Sequence, residues 1–195
     1  MARVIHPIER ESYRILRARI DLSHLPPLSR AVAERVVHAT ADLSFGTSLV
    51  LDEAALERGR AALLVGAAVV CDSAMAAAGI TSLRPVVALD DPRVPDLARE
   101  AGLTRSAAAM RLAAAEAPAG AVWVIGNAPT SLAELVARPP AEPGLVVGLP
   151  VGFVGAAEAK DALAQSDHPF VTNRGERGGS SVAVAAVNAL LYYEA

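Results

Sequence analysis

Among 195 residues, 18 Lys and Arg face 21 Asp and Glu for a net charge of −3, and hydrophobic residues make up 53%. This balance lacks the basic excess that nucleic-acid binding needs, and with 4% aromatic residues there are few platforms for stacked bases. The single cysteine, Cys71, excludes an intramolecular disulfide and a cysteine zinc site; it is expected to be a small buried hydrophobe in a reducing compartment. Residues 1–19 alternate charge with apolar side chains and lack the apolar core of a signal peptide. The longest apolar stretch, 61–71, is too short to span a bilayer, so a cytoplasmic protein with no membrane partner is expected.

The first third predicts helices over 8–20, over 29–40 after the Pro26-Pro27 break, and over 53–65 with Asp52 as N-cap. Short apolar runs then follow at 67–71, 85–89, 121–125, 145–149 and 169–172. Each precedes a helical segment: 73–78, then 94–101 with 104–117, then 130–137, 156–164 and 179–193. The Pro-rich segment 138–144 is a loop without chemistry. Continuous rather than alternating apolar runs are the pattern of strands buried on both faces. The expectation is therefore one domain over 1–195: a three-layer α/β/α, flavodoxin-like fold with a mainly parallel five-stranded sheet and an N-terminal helical segment.

In such a sheet, ligands bind where the carboxyl ends of strands lead into helices. Those ends carry Asp72-Ser73, Asp90 to Arg93, Gly126 to Thr130, Pro150 to Gly155 and Asn173 to Ser180, which gathers Gly, Asn and Arg on one rim. Gly178-Gly179-Ser180 opening the last helix, with Arg174 and Arg177 nearby, is the best candidate cradle for an anion. Ordinary turn punctuation is the alternative. Gly148, Gly152 and Gly155 are spaced G-x-x-x-G-x-x-G, which is not the dinucleotide fingerprint, and no Walker A pattern exists. Flavin-type binding stays open on spacing alone.

Neither His6, His24, His38 nor His168 stands at metal-ligand spacing, so no metal site is expected. His38 lies near the end of a helix, and Glu34 one turn earlier is a potential partner for its charged form. On residues alone, a surface or satisfied core histidine is the commoner outcome. Ser73, Ser106 and Ser180 have no nucleophile elbow around them, which argues against a hydrolase.

Seven words in order carry a resemblance: Val4 to Glu9; Val37-His38-Ala39-Thr40-Ala41-Asp42; Cys71-Asp72-Ser73-Ala74-Met75 with Ala78-Gly79-Ile80; Thr104 to Met110; Ile125-Gly126-Asn127-Ala128-Pro129-Thr130; Gly148 to Glu158 with Lys160 to Leu163; and Arg174-Gly175 with Gly178-Gly179-Ser180. Over nearly its whole length the chain resembles the precorrin-8X methylmutase family. The resemblance implies a cofactor-free homodimeric isomerase. Its substrate is a tetrapyrrole, precorrin-8X or cobalt-precorrin-8, in which a methyl group moves between adjacent carbons of ring C to give the corrin product.

The family's catalytic histidine corresponds to His38, and an imidazole suits proton donation near neutral pH. Alongside it, Ser12, Arg105, Ser106, Asn127 and Arg174 are expected to hold the polar edges of the macrocycle. Gly178 and Gly179 are expected to bring backbone amides to its carboxylates. The chain departs from the family in a short segment from Gly79 to Pro85, where Arg84 is the one cation. A candidate dimer face is the Ala-Val-rich side of 182–191. The rival readings are a noncatalytic tetrapyrrole-binding carrier and a flavodoxin-like nucleotide-binding protein.

Overall fold

A computed structural model describes residues 6–194; residues 1–5, which include the start of the Val4 to Glu9 word, and residue 195 lie outside the described part. The chain opens with α1 (Pro7–Arg19), α2 (Pro27–Thr40) and the short α3 (Phe45–Ser48). Proline stands in the first turn of both longer helices, where its missing N–H costs nothing. Then come β1 (Leu49–Leu51), α4 (Glu53–Leu64), β2 (Val69–Cys71), α5 (Ala74–Gly79) and β3 (Val86–Val87). The rest is α6 (Val94–Ala101), α7 (Arg105–Glu116), β4 (Val122–Ile125), α8 (Pro129–Ala137), β5 (Leu145–Gly148), α9 (Ala156–Ala164), β6 (Phe170–Asn173) and α10 (Ser180–Leu191). Asp52, Ser73 and Thr104 each cap a helix by accepting an N–H three residues on.

The sheet has six strands rather than five, in the order β1-β6-β5-β4-β2-β3. The five expected strands pair in parallel, and β1, unforeseen, runs antiparallel on the β6 edge with Leu49 opposite Asn173. The second expected strand, 85–89, is cut to Val86–Val87 because Ala88–Asp90 coils into a 3-10 turn.

Alternate side chains of the central strands feed two cores. Cys71, Val122, Val124, Leu145 and Val147 meet α1 to α5 and α10, whereas Val70, Trp123, Ile125 and Val146 meet α6 to α9. Helices cover both faces, which gives the three layers. Chain direction across the sheet reverses between β2 and β4, the point where ligand crevices form in doubly wound sheets.

The apolar side of α10 does not supply a dimer face. Val182, Ala183, Ala186, Val187 and Leu190 are already buried in the core beneath α2. Among the described residues no helix is long and apolar enough to cross a membrane.

Candidate active site around His38

His38 sits in the last turn of α2, which stops where Ala41 turns left-handed (φ 54°) and Thr40 Oγ1 donates back to the Val36 carbonyl at 2.9 Å. The half-buried imidazole is gripped by two neighbours from α1. Ser12 Oγ lies 2.8 Å from Nδ1, and the Tyr13 ring stacks on the imidazole with centroids 4.8 Å apart and planes 13° apart. Nε2 is left without a hydrogen bond from the chain among the described residues. His38 lines a cleft of about 550 Å³ with Arg35, Met75, Ser180, Ser181 and Asn188. An adjoining hollow of about 630 Å³ shares Arg35 and Asn188 and adds Arg10, Tyr13, Arg17 and Tyr192.

The expected Glu34 partner is engaged elsewhere. Its carboxylate takes a two-pronged contact from Arg17 (2.9 and 2.7 Å) and another bond from Arg30 at 2.9 Å. Burial pushes Glu34 up, but the two guanidinium groups outweigh it and hold the carboxyl below its ordinary range.

The strand-end loops converge beside this cleft. Ser73 Oγ lies 3.4 Å from Ser180 Oγ, and a side chain at Gly126 would meet the Ser180 Cα at 2.7 Å, so glycine lets the β4 loop sit on the start of α10. At the reversal point the Asp72 carboxylate accepts N–H bonds from Gly126 (3.3 Å), Asn127 (2.7 Å) and Ala128 (2.8 Å). Burial raises the Asp72 pKa, against the pull of those donors. This cluster of amides, the natural phosphate cradle of such a sheet, is filled by the chain's own carboxylate, which counts against the nucleotide reading.

Beyond β6, Arg174 is exposed and its guanidinium has no acidic partner among the described residues, while its backbone N–H donates to the Ser48 carbonyl at 2.9 Å. Arg177 is spoken for: it bridges to Asp42 at 2.6 Å and to the Ser44 hydroxyl. The Ser44 hydroxyl and amide, with Arg177, keep the Asp42 carboxyl below its usual range.

Beneath this loop Lys160 is wholly buried, donating to Asn173 Oδ1 (3.1 Å) and the Arg177 carbonyl (2.7 Å). Burial pulls its ammonium down to about 8. Asn173 in turn donates to the Arg174 and Arg177 carbonyls, so the pair braces the turn from within.

Of the two glycines, Gly179 works differently from expectation. Gly179 gives its N–H to the Leu149 carbonyl at 2.9 Å, so that amide is not open to a ligand. A Cβ on Gly178 would strike the Leu149 and Pro150 carbonyl oxygens, which makes close backbone packing the reason for glycine there.

Arg105 and Ser106 open α7, which the Thr104–Thr130 hydroxyl contact (2.8 Å) sets beside the start of α8, next to the exposed Asn127. Ser106 uses its carbonyl to accept from Ser131 Oγ at 3.1 Å. No hydrogen bond joins this pair to His38, so Ser12 and His38 form one group and Arg105, Ser106 and Asn127 another on the same rim. Tyr13 and Arg35 are site residues the sequence did not single out, whereas Asp72 was placed on the strand-end rim and Lys160 in a shared word without a role for either. Of the first two, Tyr13 alone carried a signal, as the helical neighbour of Ser12.

Cys71 is fully buried, and burial pushes its thiol up to about 12, which fits the inert role expected of it. Among the described residues no group of three or more His, Cys, Asp or Glu side chains is placed to hold a metal ion.

Comparison with known proteins shows the family. Residues 7–193 match the family model described as precorrin-8X methylmutase. A precorrin-8X methylmutase of Sinorhizobium sp is 42% identical, with 94% of this chain and 92% of the relative covered. A cobalt-precorrin-8 methylmutase of Salmonella typhimurium is 40% identical, with 95% and 94% covered. The crystal structure of a precorrin-8X methylmutase from Thermus thermophilus superposes with a TM-score of 0.84 at 37% identity, covering 94% of this chain and 93% of that one. The same stretch that builds the two-helix grip on His38 and the glycine-packed rim is the stretch these relatives share, and the chain belongs to the precorrin-8X methylmutase family.

Proposed function

We propose that this chain moves a methyl group from carbon 11 to carbon 12 of ring C in precorrin-8X or cobalt-precorrin-8, giving hydrogenobyrinate or cobyrinate, in cobalamin biosynthesis. The observation that carries the reading is a histidine held at Nδ1 by Ser12 with Nε2 left for a ligand, in a cleft beside the strand-end rim. In a methyl shift of this kind one carbon–carbon bond breaks as its neighbour forms, with no net gain or loss of electrons. A proton lent by His38 to the conjugated ring redistributes its electrons, and general acid help of this sort is worth about 10²- to 10⁴-fold in rate. No resident cofactor is needed.

The remaining roles follow from what each group has free. Ser12 holds the His38 ring at Nδ1 and, beside it, contacts a polar edge of the substrate. Arg174 offers an exposed guanidinium to a substrate carboxylate, and Arg105, Ser106 and Asn127 hold a second edge. Gly178 and Gly179 shape the turn that carries Arg174. The protein acts as one domain, in the cytoplasm, as a homodimer. Exposed Ile8 and Ile15 on α1 are a better candidate contact than α10. Strand order within the parallel strands, second-first-third-fourth-fifth, supports the flavodoxin-like description.

Incubating precorrin-8X with the protein alone and recording the absorbance spectrum tests the reading. Conversion to the corrin spectrum is expected. Tight binding without conversion would instead indicate a carrier, and a yellow protein as purified would indicate a flavin.

A further inference from the structure

We propose that Tyr13 is a positioning residue for His38, the proton donor of the reading above. A hydrogen bond from one ring atom does not orient an imidazole, because the terminal torsion of histidine is broad and the ring still swings about the bonded nitrogen. A second constraint on the ring plane is needed, and Tyr13 supplies it. Adjacent residues on a helix project about 100° apart, so α1 meets the same imidazole twice, at its edge through Ser12 and at its face through Tyr13. A near-parallel stack at 4.8 Å is a favourable offset arrangement for two aromatic rings.

The phenol is itself held in place. One turn along α1, the Arg17 guanidinium lies over the Tyr13 ring at 5.7 Å. One turn back along α2 from His38, the buried Glu34 anchors Arg17 through both carboxylate oxygens, with Arg30 completing its bonds. Two rungs one helical turn apart, His38–Tyr13 and Glu34–Arg17, therefore lock α1 to α2 and leave Nε2 aimed by packing rather than by substrate. The Tyr13 hydroxyl in turn faces Arg35 of α2, but burial outweighs that contact and raises its pKa, so the phenol stays neutral and its ring face is what meets His38.

The test compares Tyr13→Leu with Tyr13→Phe, which keeps the ring face and drops the hydroxyl. Steady-state rates with precorrin-8X are measured together with the proton resonances of the His38 ring, assigned by their disappearance in His38→Ala. Stacking shifts those resonances upfield in the parent. In Tyr13→Leu the upfield shift is lost and kcat falls about ten- to a hundred-fold with KM nearly unchanged, the scale of a misoriented catalytic group. Tyr13→Phe restores both.

Parent-like kcat in Tyr13→Leu, or a Tyr13→Phe as slow as Tyr13→Leu, overturns the proposal. The ring resonances report the stack whether or not His38 is the proton donor, and retained turnover in His38→Ala overturns the donor role instead.

Discussion

Replacing Lys160 with Met removes a charge that the fold buries completely and leaves a side chain of similar length to fill its place. The ammonium is pulled from 10.5 down to about 8 by loss of hydration, and a displacement of that size corresponds to about 3 kcal/mol of differential stabilisation. The folded value lies below the unfolded one, so the folded chain sheds the proton first and stability rises with pH between roughly 8 and 10.5. Below about 8 the cost of the buried charge is borne in full. From pH 7 to pH 9 this group alone adds about 1.4 kcal/mol to the parent's stability, the equivalent of one decade in proton activity. Urea unfolding of parent and Lys160→Met at both pH values reads the difference. The parent should gain about 1.4 kcal/mol more than the variant over that interval. Equal pH dependence in the two proteins would refute the reasoning and place the Lys160 amine in contact with water.

Gly178→Ala should destabilise the chain by about 1–3 kcal/mol in the same assay, since its new methyl has only the Leu149 and Pro150 carbonyls to meet. Parent-like stability would mean that the turn yields. Arg174→Ala should raise KM for precorrin-8X about tenfold with little change in kcat, the effect of one charge-assisted contact to a substrate carboxylate. An unchanged KM would remove Arg174 from the binding edge. Raised salt should weaken substrate binding to the parent more than to Arg174→Ala, measured by titration of the ring absorbance.

Continuous β-branched runs made the centre of the sheet legible, because Val122 to Ile125 and Leu145 to Gly148 are buried on both faces and need no alternation. Local capping chemistry was equally readable at Asp52, Ser73 and Thr104. The edges were not. Leu49–Leu51 is three residues long, and its strand conformation comes from pairing with Phe170–Asn173, a contact more than a hundred residues away. Val86–Val87 holds one short edge, and nothing beyond it keeps Ala88 extended.

At the site, the histidine and the rim were in the sequence, but partner choice was not. Glu34 and His38 stand at helical spacing, yet two arginines, one of them on another helix, bind the carboxylate more strongly than an imidazole does. Lys160 gave no hint of burial, because lysine is ordinarily a surface residue and its acceptors lie on the turn beyond β6. The role of Gly179 was misread because a free amide in a glycine turn and one already bonded to Leu149 look the same in one dimension.

Single-turnover conversion of precorrin-8X by His38→Ala, with binding measured in parallel by the change in ring absorbance, bears most directly on proton donation by His38. Affinity close to that of the parent, with conversion slowed about 10²- to 10⁴-fold, is the expected result. Conversion at the parent rate would contradict it.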